Sequence, residues 1–222
     1  MYKILRNEKI SESSYLLTIK CPIVIKNAIP GQFIIVMSKE DSERIPLTIY
    51  DYNLDDGTLD LIYQVVGAST KELSKNKEEV FAITGPLGKP NEICKSYEEY
   101  KEKRIVYVAG GVGIAPVYPQ VKYLKEKGFN IDVIYGARSK DLLLIKDKIE
   151  QVASKVYYVT DDGTYGEKGF VTDTLKKHIN EYDICVAIGP VIMMKNVAEL
   201  TKEYNLKTIV SMNPIMVDGT GM

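Results

Sequence analysis

The chain changes rhythm near residue 104, and that change limits its architecture more than any other feature. From Arg104 onward the apolar runs IVYVAG, IDVIYGA, VYYVTDD, ICVAIGP and TIVSM alternate with stretches of helical spacing, which reach about Lys127, lie near Lys146, start at Phe170 and end about Tyr204. Alternating units of this kind predict a doubly wound α/β domain whose parallel sheet is covered on both faces. Met193, Val197 and Leu200 share one helical face, as do Val171, Leu175 and Ile179, which is ordinary core packing. The preceding stretch, Tyr2 to Thr84, reads in short strands instead: YLLTIKC, QFIIVM, PLTIYD, LDLIYQVV and VFAIT, separated by Pro-Gly, Asp-Gly or charged residues. That spacing predicts a small antiparallel β-barrel or sandwich, with one short helix at Ser69 to Lys75 capped by Ser69 or Thr70. The charge-rich segment EICKSYEEYKEK, Glu92 to Lys103, marks the junction, so the expected domains are 1–98 and 99–211, with 212–222 beginning something else.

Composition excludes several classes of function. A net charge of −1 leaves no electrostatic footprint for nucleic acid, and basic runs such as Lys75 to Lys77 are short and mixed with acids. No apolar run reaches membrane-spanning length and the first ten residues carry charges every few positions, so a cytoplasmic location is expected. Cys21, Cys94 and Cys185 are odd in number, far apart and without a CxxC, which predicts plain thiols.

Candidate chemistry gathers at the ends of the parallel strands, where open α/β sheets bind ligands. AGGVGIAP, Ala109 to Pro116, puts Gly110, Gly111 and Gly113 at a strand end before a helix, where a pyrophosphate can meet the unpaired N–H groups of the helix start. Pro116 stands where GxGxxG would place its last glycine, and a structural tight turn explains the segment too. Gly189 and Pro190 end the fourth strand, and YGARSKD, Tyr135 to Asp141, ends the second. Three such ends in one sheet predict a dinucleotide site. At the third end, TDDGTY places Asp161 and Asp162 to accept from ribose hydroxyls and to repel a 2′-phosphate, favouring NADH over NADPH; the alternative is a pair of turn or cap acids. In the first domain, RIPLT (Arg44 to Thr48), VVGASTKEL (Val65 to Leu73) and GPLGKP (Gly85 to Pro90) combine an Arg with a Gly-x-Ser-Thr helix start, which suits a second pyrophosphate.

Taken in this order and spacing, these motifs resemble the ferredoxin-reductase superfamily, a flavin-binding barrel followed by a pyridine-nucleotide domain, over Tyr2 to about Ser211. Within it the chain is most similar to the small subunits of NADH-dependent ferredoxin:NADP oxidoreductases, also known as sulfide dehydrogenase subunits, and to dihydroorotate dehydrogenase electron-transfer subunits. The resemblance implies FAD with Pro46, Leu47 and Thr48 beside the isoalloxazine, Thr48 near the reactive nitrogen, and Gly67, Ser69 and Thr70 on the pyrophosphate. Arg44 and Gly85 belong to the same implied set, although the commoner Arg-x-Tyr-Ser form is here Arg44-Ile-Pro-Leu-Thr, with Tyr50 or Tyr63 as substitutes for the stacking tyrosine. The family cysteine before Gly-Pro is Ile188, and Cys185 reads as strand core. Gly113, Ile114 and Gly189 are expected to leave room for the nicotinamide.

The tail SMNPIMVDGTGM resembles the stretch that leads into the [2Fe-2S] cysteines of those small subunits, with Asp218 at the place of an unusual ligand. The expectation is a truncated iron–sulfur module without iron, the alternative a frayed end. One histidine, His178, and no Ser/His/Asp or Cys/His set leave the chemistry to cofactors. The reading is therefore an FAD-dependent subunit passing electrons between NAD(H) and a larger flavin and iron–sulfur subunit, with ferredoxin reached indirectly. A dihydroorotate dehydrogenase accessory subunit and a non-catalytic nucleotide sensor are the rivals.

Overall fold

The computed structural model describes residues 1–212, in two compact units: Met1–Asn91, and a second that starts at Glu92. The tail reading, including Asp218, lies outside the described residues.

In the first unit, strands β1 (Tyr2–Lys9), β2 (Ser14–Lys20), β3 (Phe33–Met37), β4 (Arg44–Asn53), β5 (Thr58–Gln64), β6 (Glu79–Val80) and β7 (Ala82–Leu87) form one antiparallel sheet in the order β6-β1-β2-β5-β4-β3-β7. Only Phe81 separates β6 on one edge from β7 on the other, so the sheet curls into a nearly closed barrel. The run VFAIT, read as one strand, is thus split at the corner that brings the edges round. The inner face follows the period of two: Ile45, Leu47 and Ile49 of β4 enter the same core as Ile34, Val36, Leu59 and Leu61. The helix α2 (Ala68–Lys75) is where a helix was expected, one residue longer at its start, and a single turn, α1 (Pro22–Ile25), follows β2.

The second unit begins with a short helix, α3 (Glu92–Lys95). It then alternates as the rhythm predicts: β8 (Ile105–Gly110), α4 (Ile114–Glu126), β9 (Ile131–Ala137), α5 (Lys146–Val152), β10 (Lys155–Thr160), β11 (Glu167–Lys168), α6 (Val171–His178), β12 (Ile184–Ile188), α7 (Val191–Glu203) and β13 (Lys207–Val210). All strands are parallel in the order β11-β10-β9-β8-β12-β13, so the chain reverses its direction of winding between β8 and β12. Val106, Val108, Ile134, Val159, Cys185 and Ala187 make the core on one face with Val171, Leu175, Met194 and Val197 from the helices. None of the three cysteines forms a disulfide and all are buried, and burial pushes the Cys94 and Cys185 thiols up to about 12, which fits inert core thiols. Among the described residues no helix is long and apolar enough to cross a membrane.

Candidate functional site

The winding reversal between β8 and β12 opens a crevice at the carboxyl ends of the strands, the standard place for a ligand in such a sheet. The glycines that line it do two different jobs. A Cβ on Gly113 would lie 2.3 Å from the Ile188 carbonyl oxygen and 2.9 Å from Gly189 Cα, and one on Gly110 would lie 2.5 Å from Met193 Sδ. Gly113 lacks a side chain because the turn after β8 is pressed against the end of β12, and Gly110 because Pro190 and the α7 residue Met193 lie against it. Gly111 differs: it has φ +54 and a Cβ added there would meet nothing within 4 Å, so it faces open space at the start of α4. Gly113, Ile114 and Gly189, expected to leave room for the nicotinamide, all take part in this close packing. Gly113 is packed on backbone, Ile114 is fully buried, and a Cβ on Gly189 would come within 3.0 Å of the Gly110 nitrogen. What faces open space is Gly111, at the head of the short turn 111–113 that runs into α4, and the first N–H of α4, that of Ile114, bonds the Gly111 and Val112 carbonyls.

The third strand end is a tied loop. Buried Thr160 donates its hydroxyl to the Tyr165 carbonyl at 2.8 Å and accepts from the Tyr165 N–H at 3.1 Å, while its own carbonyl accepts from Gly163 and Gly169. Asp162 accepts from the Thr164 N–H at 2.9 Å and hydroxyl at 2.7 Å, and these two bonds hold its carboxyl below the usual carboxylate range. Asp162 thus serves as a turn acid, whatever else it does. Asp161 is exposed, with its N–H on the Ala137 carbonyl, and the neighbouring Asp162 N–H bonds the Arg138 carbonyl, so both acids stand beside the end of β9.

Sequence reasoning passed over Phe170. It is the N-cap of α6, 64% exposed, with its N–H donated to the Asp173 carboxylate at 2.9 Å. The next residue, Val171, covers Gly136 of β9, which pairs with Gly110 of β8. An exposed ring on a rigid helix start at this edge suits stacking on a flat base. Asp173, three residues on, which accepts the Phe170 N–H, marks this helix start in the sequence.

In the barrel, Arg44, Pro46 and Thr48 alternate with the buried Ile45 and Leu47, so they face outward from β4, and Leu47 reaches a ligand only through its backbone. Thr48 is half-buried and lies opposite Phe33 of β3, which makes Phe33 the aromatic nearest to it across the ladder. The substitutes named from the sequence are corrected: Tyr63 stacks on Tyr15 in the core and donates to Asn7 at 3.0 Å, and Tyr50 is buried as well. Gly85 sits inside β7 against Ile34.

Gly67 is the N-cap of α2 and, like Gly111, has nothing within 4 Å of the Cβ position. The Thr70 hydroxyl turns back to accept from the Val66 and Gly67 N–H groups at 3.1 and 3.2 Å, half of a capping box. Ser69 donates to the Glu43 carboxylate, so an anionic group already rests at this helix start. The donors thus fit an anion such as a pyrophosphate, provided Glu43 gives way. Among the described residues no group of three or more His, Cys, Asp or Glu is placed to hold a metal.

Comparison with known proteins agrees with this geometry. Residues 107–199 match the family of the oxidoreductase NAD-binding domain. A Clostridium beijerinckii protein, called uncharacterized protein in adh 3′ region, is 48% identical over 100% of this chain and 77% of its own. A Thermotoga maritima protein named dihydroorotate dehydrogenase B (NAD(+)), electron transfer subunit homolog, is 45% identical over 99% of this chain and 77% of its own. Among solved structures, an NADH-dependent reduced ferredoxin-NADP oxidoreductase studied for flavin-based electron bifurcation is 42% identical, with a TM-score of 0.89, over 100% of this chain and 79% of that one. The barrel and parallel sheet, the crevice at the winding reversal and these relatives together show that the chain belongs to the ferredoxin-reductase-like family of NAD(H)-linked oxidoreductases and electron-transfer subunits.

Proposed function

We propose that this chain is the FAD-dependent, NADH-oxidising subunit of a cytoplasmic electron-transfer complex, delivering electrons to a larger subunit that carries flavin or iron–sulfur groups. The observation that carries the reading is the open Gly111 turn at the head of α4, placed where the sheet reverses. There the N–H groups would hold the dinucleotide pyrophosphate, with Gly189 and Pro190 forming the facing wall and Asp161 and Asp162 selecting a free ribose. Phe170 would support the base. In the barrel, Arg44 and the start of α2 at Gly67, Ser69 and Thr70 would hold the FAD pyrophosphate, and Pro46, Leu47, Thr48 and Gly85 would border the ring. When bound, the flavin supplies hydride exchange with the nicotinamide and single-electron exchange with an iron–sulfur acceptor. The protein's part is to orient and to exclude water, which agrees with the lone His178 being engaged by Glu181 at 2.8 Å.

The test is flavin release and bleaching. Purified protein should release about one FAD per chain on denaturation, a stoichiometry set by the one barrel cradle at the start of α2, and NADH should bleach it faster than NADPH. Release of FMN alone, or equal rates with both nucleotides, would overturn the corresponding half of the reading.

A second reading comes from the names of relatives, since the Thermotoga maritima protein and a Clostridium acetobutylicum protein, 32% identical over 99% of this chain, are both named for dihydroorotate dehydrogenase B electron transfer. Co-purification decides between them: a partner that oxidises dihydroorotate supports this second reading, and one that reduces ferredoxin supports the first.

A further inference from the structure

Met193 is the third residue of α7 and is half-buried, whereas Met194 beside it is in the core at 5% exposure. Its side chain packs against the edge of the sheet core at the carboxyl ends of β8 and β12. Met193 Sδ sits 2.5 Å from where a Gly110 Cβ would be, and Met193 Cε sits 2.9 Å from where a Gly189 Cβ would be. The thioether therefore lies over the carboxyl ends of β8 and β12, against Gly110 and Gly189.

We propose that Met193 is an oxidative modification site, converted to its sulfoxide by hydrogen peroxide, and that this conversion weakens dinucleotide binding. The proposal rests on the NADH-binding reading of this crevice. In the step, a sulfur lone pair attacks one peroxide oxygen and the O–O bond breaks. The departing hydroxide takes the proton from the transferred OH, leaving sulfoxide and water, with sulfur oxidised and peroxide reduced by two electrons. The new oxygen is a hydrogen-bond acceptor and needs a donor or water. Toward the protein it meets the Gly110 and Gly189 backbones, already at contact, so it must turn out into the crevice or lift the first turn of α7 away from β8. Either movement takes the space in which a dinucleotide backbone would approach the strand ends. Met194 cannot respond in the same way, because peroxide has no path to it without opening the core.

The experiment exposes the flavin-loaded protein to hydrogen peroxide, follows oxygen addition at each methionine by peptide mass spectrometry and titrates NADH binding. Met193 should oxidise well before Met194, NADH should slow that oxidation, and affinity for NADH should fall about tenfold, as expected when a buried acceptor is left without its contacts. Methionine sulfoxide reductase should restore it. Met193→Leu should show the same NADH affinity before and after peroxide, although the exposed Met1 and Met212 still oxidise. Oxidation of Met193 with unchanged affinity, or an equal loss in Met193→Leu, would overturn the proposal. Untreated protein that binds no NADH would overturn the reading of the crevice, and this proposal with it.

Discussion

Two helix starts in this molecule offer the same donors but are built in opposite ways. The start of α4 is held by its surroundings: Gly110 and Gly113 are pressed onto α7 and the end of β12, and only Gly111 is left facing outward. The start of α2 is held by side-chain bonds instead, the Thr70 hydroxyl on the Val66 and Gly67 N–H groups and Ser69 on Glu43, which stands just before β4. A site fixed by packing is set when the sheet folds, whereas a site fixed by local side-chain bonds can exchange one anion for another. The contrast teaches that identical motif chemistry, glycine before a helix, carries different energetic weight according to what the missing Cβ would touch.

The sharpest way to break this comparison is at Gly113. Gly113→Ala places a Cβ 2.3 Å from the Ile188 carbonyl, so the turn must part from β12 at a cost of about 3 kcal/mol. A denaturant melt should show it, and NADH binding should fall with it. Gly67→Ala, by contrast, meets nothing and should cost only about 1 kcal/mol, the loss expected of Ala at an N-cap. Next in size, Thr70→Arg removes the hydroxyl cap and crowds the helix start, so FAD affinity should drop by about tenfold or more, while Thr164→Arg leaves flavin content unchanged. Equilibrium titration with FAD reads both. Gly111→Ala should cost about 1 kcal/mol through its positive φ alone, because space is available. If it cost as much as Gly113→Ala, the division of labour among these glycines would be wrong.

Two smaller effects test the electrostatics. Replacing Asp161 with Ser and Asp162 with Arg should move the nucleotide preference toward NADPH in stopped-flow bleaching; an unchanged ratio would mean that both acids only shape the turn with Thr164. Smallest is the tie between β11 and α6, in which Glu167 accepts from Lys177 and Thr174, each at 2.8 Å, and its carboxyl is held below the usual range by Lys177 first and Thr174 second. A depressed carboxylate stabilises the fold above its unfolded pKa, and the benefit is lost as pH falls through the folded value. The pair is exposed, so its effect is screened. Glu167→Gln should lower Tm by about one degree at neutral pH and not at all at strongly acid pH.

Much of this was legible in the chain. The helices from Ile114, Val171 and Val191 fall where the apolar spacing puts them, and the barrel strands follow the alternation, because burial on one face imposes a period that any reader can count. Less legible were the strand break at Phe81, the two-residue strand β11 and the fate of the aromatics. Tyr50 and Tyr63 look available beside RIPLT, yet both are buried, while Phe33, thirty places from Tyr63 in sequence, is the ring opposite Thr48. Cross-strand neighbours depend on register, and register is a property of pairs of strands.

The sequence alone determined the order of the two units, the parallel and antiparallel sheets, and which turns could present N–H groups to a phosphate, since these follow from periodicity and from where glycine and proline interrupt it. Only the tertiary structure decided which glycines serve a ligand and which serve packing, because that depends on the atoms a side chain would strike. Gly111 and Gly113 are two residues apart and chemically identical; one faces open space and the other the Ile188 carbonyl, and nothing short of the folded sheet brings that carbonyl there.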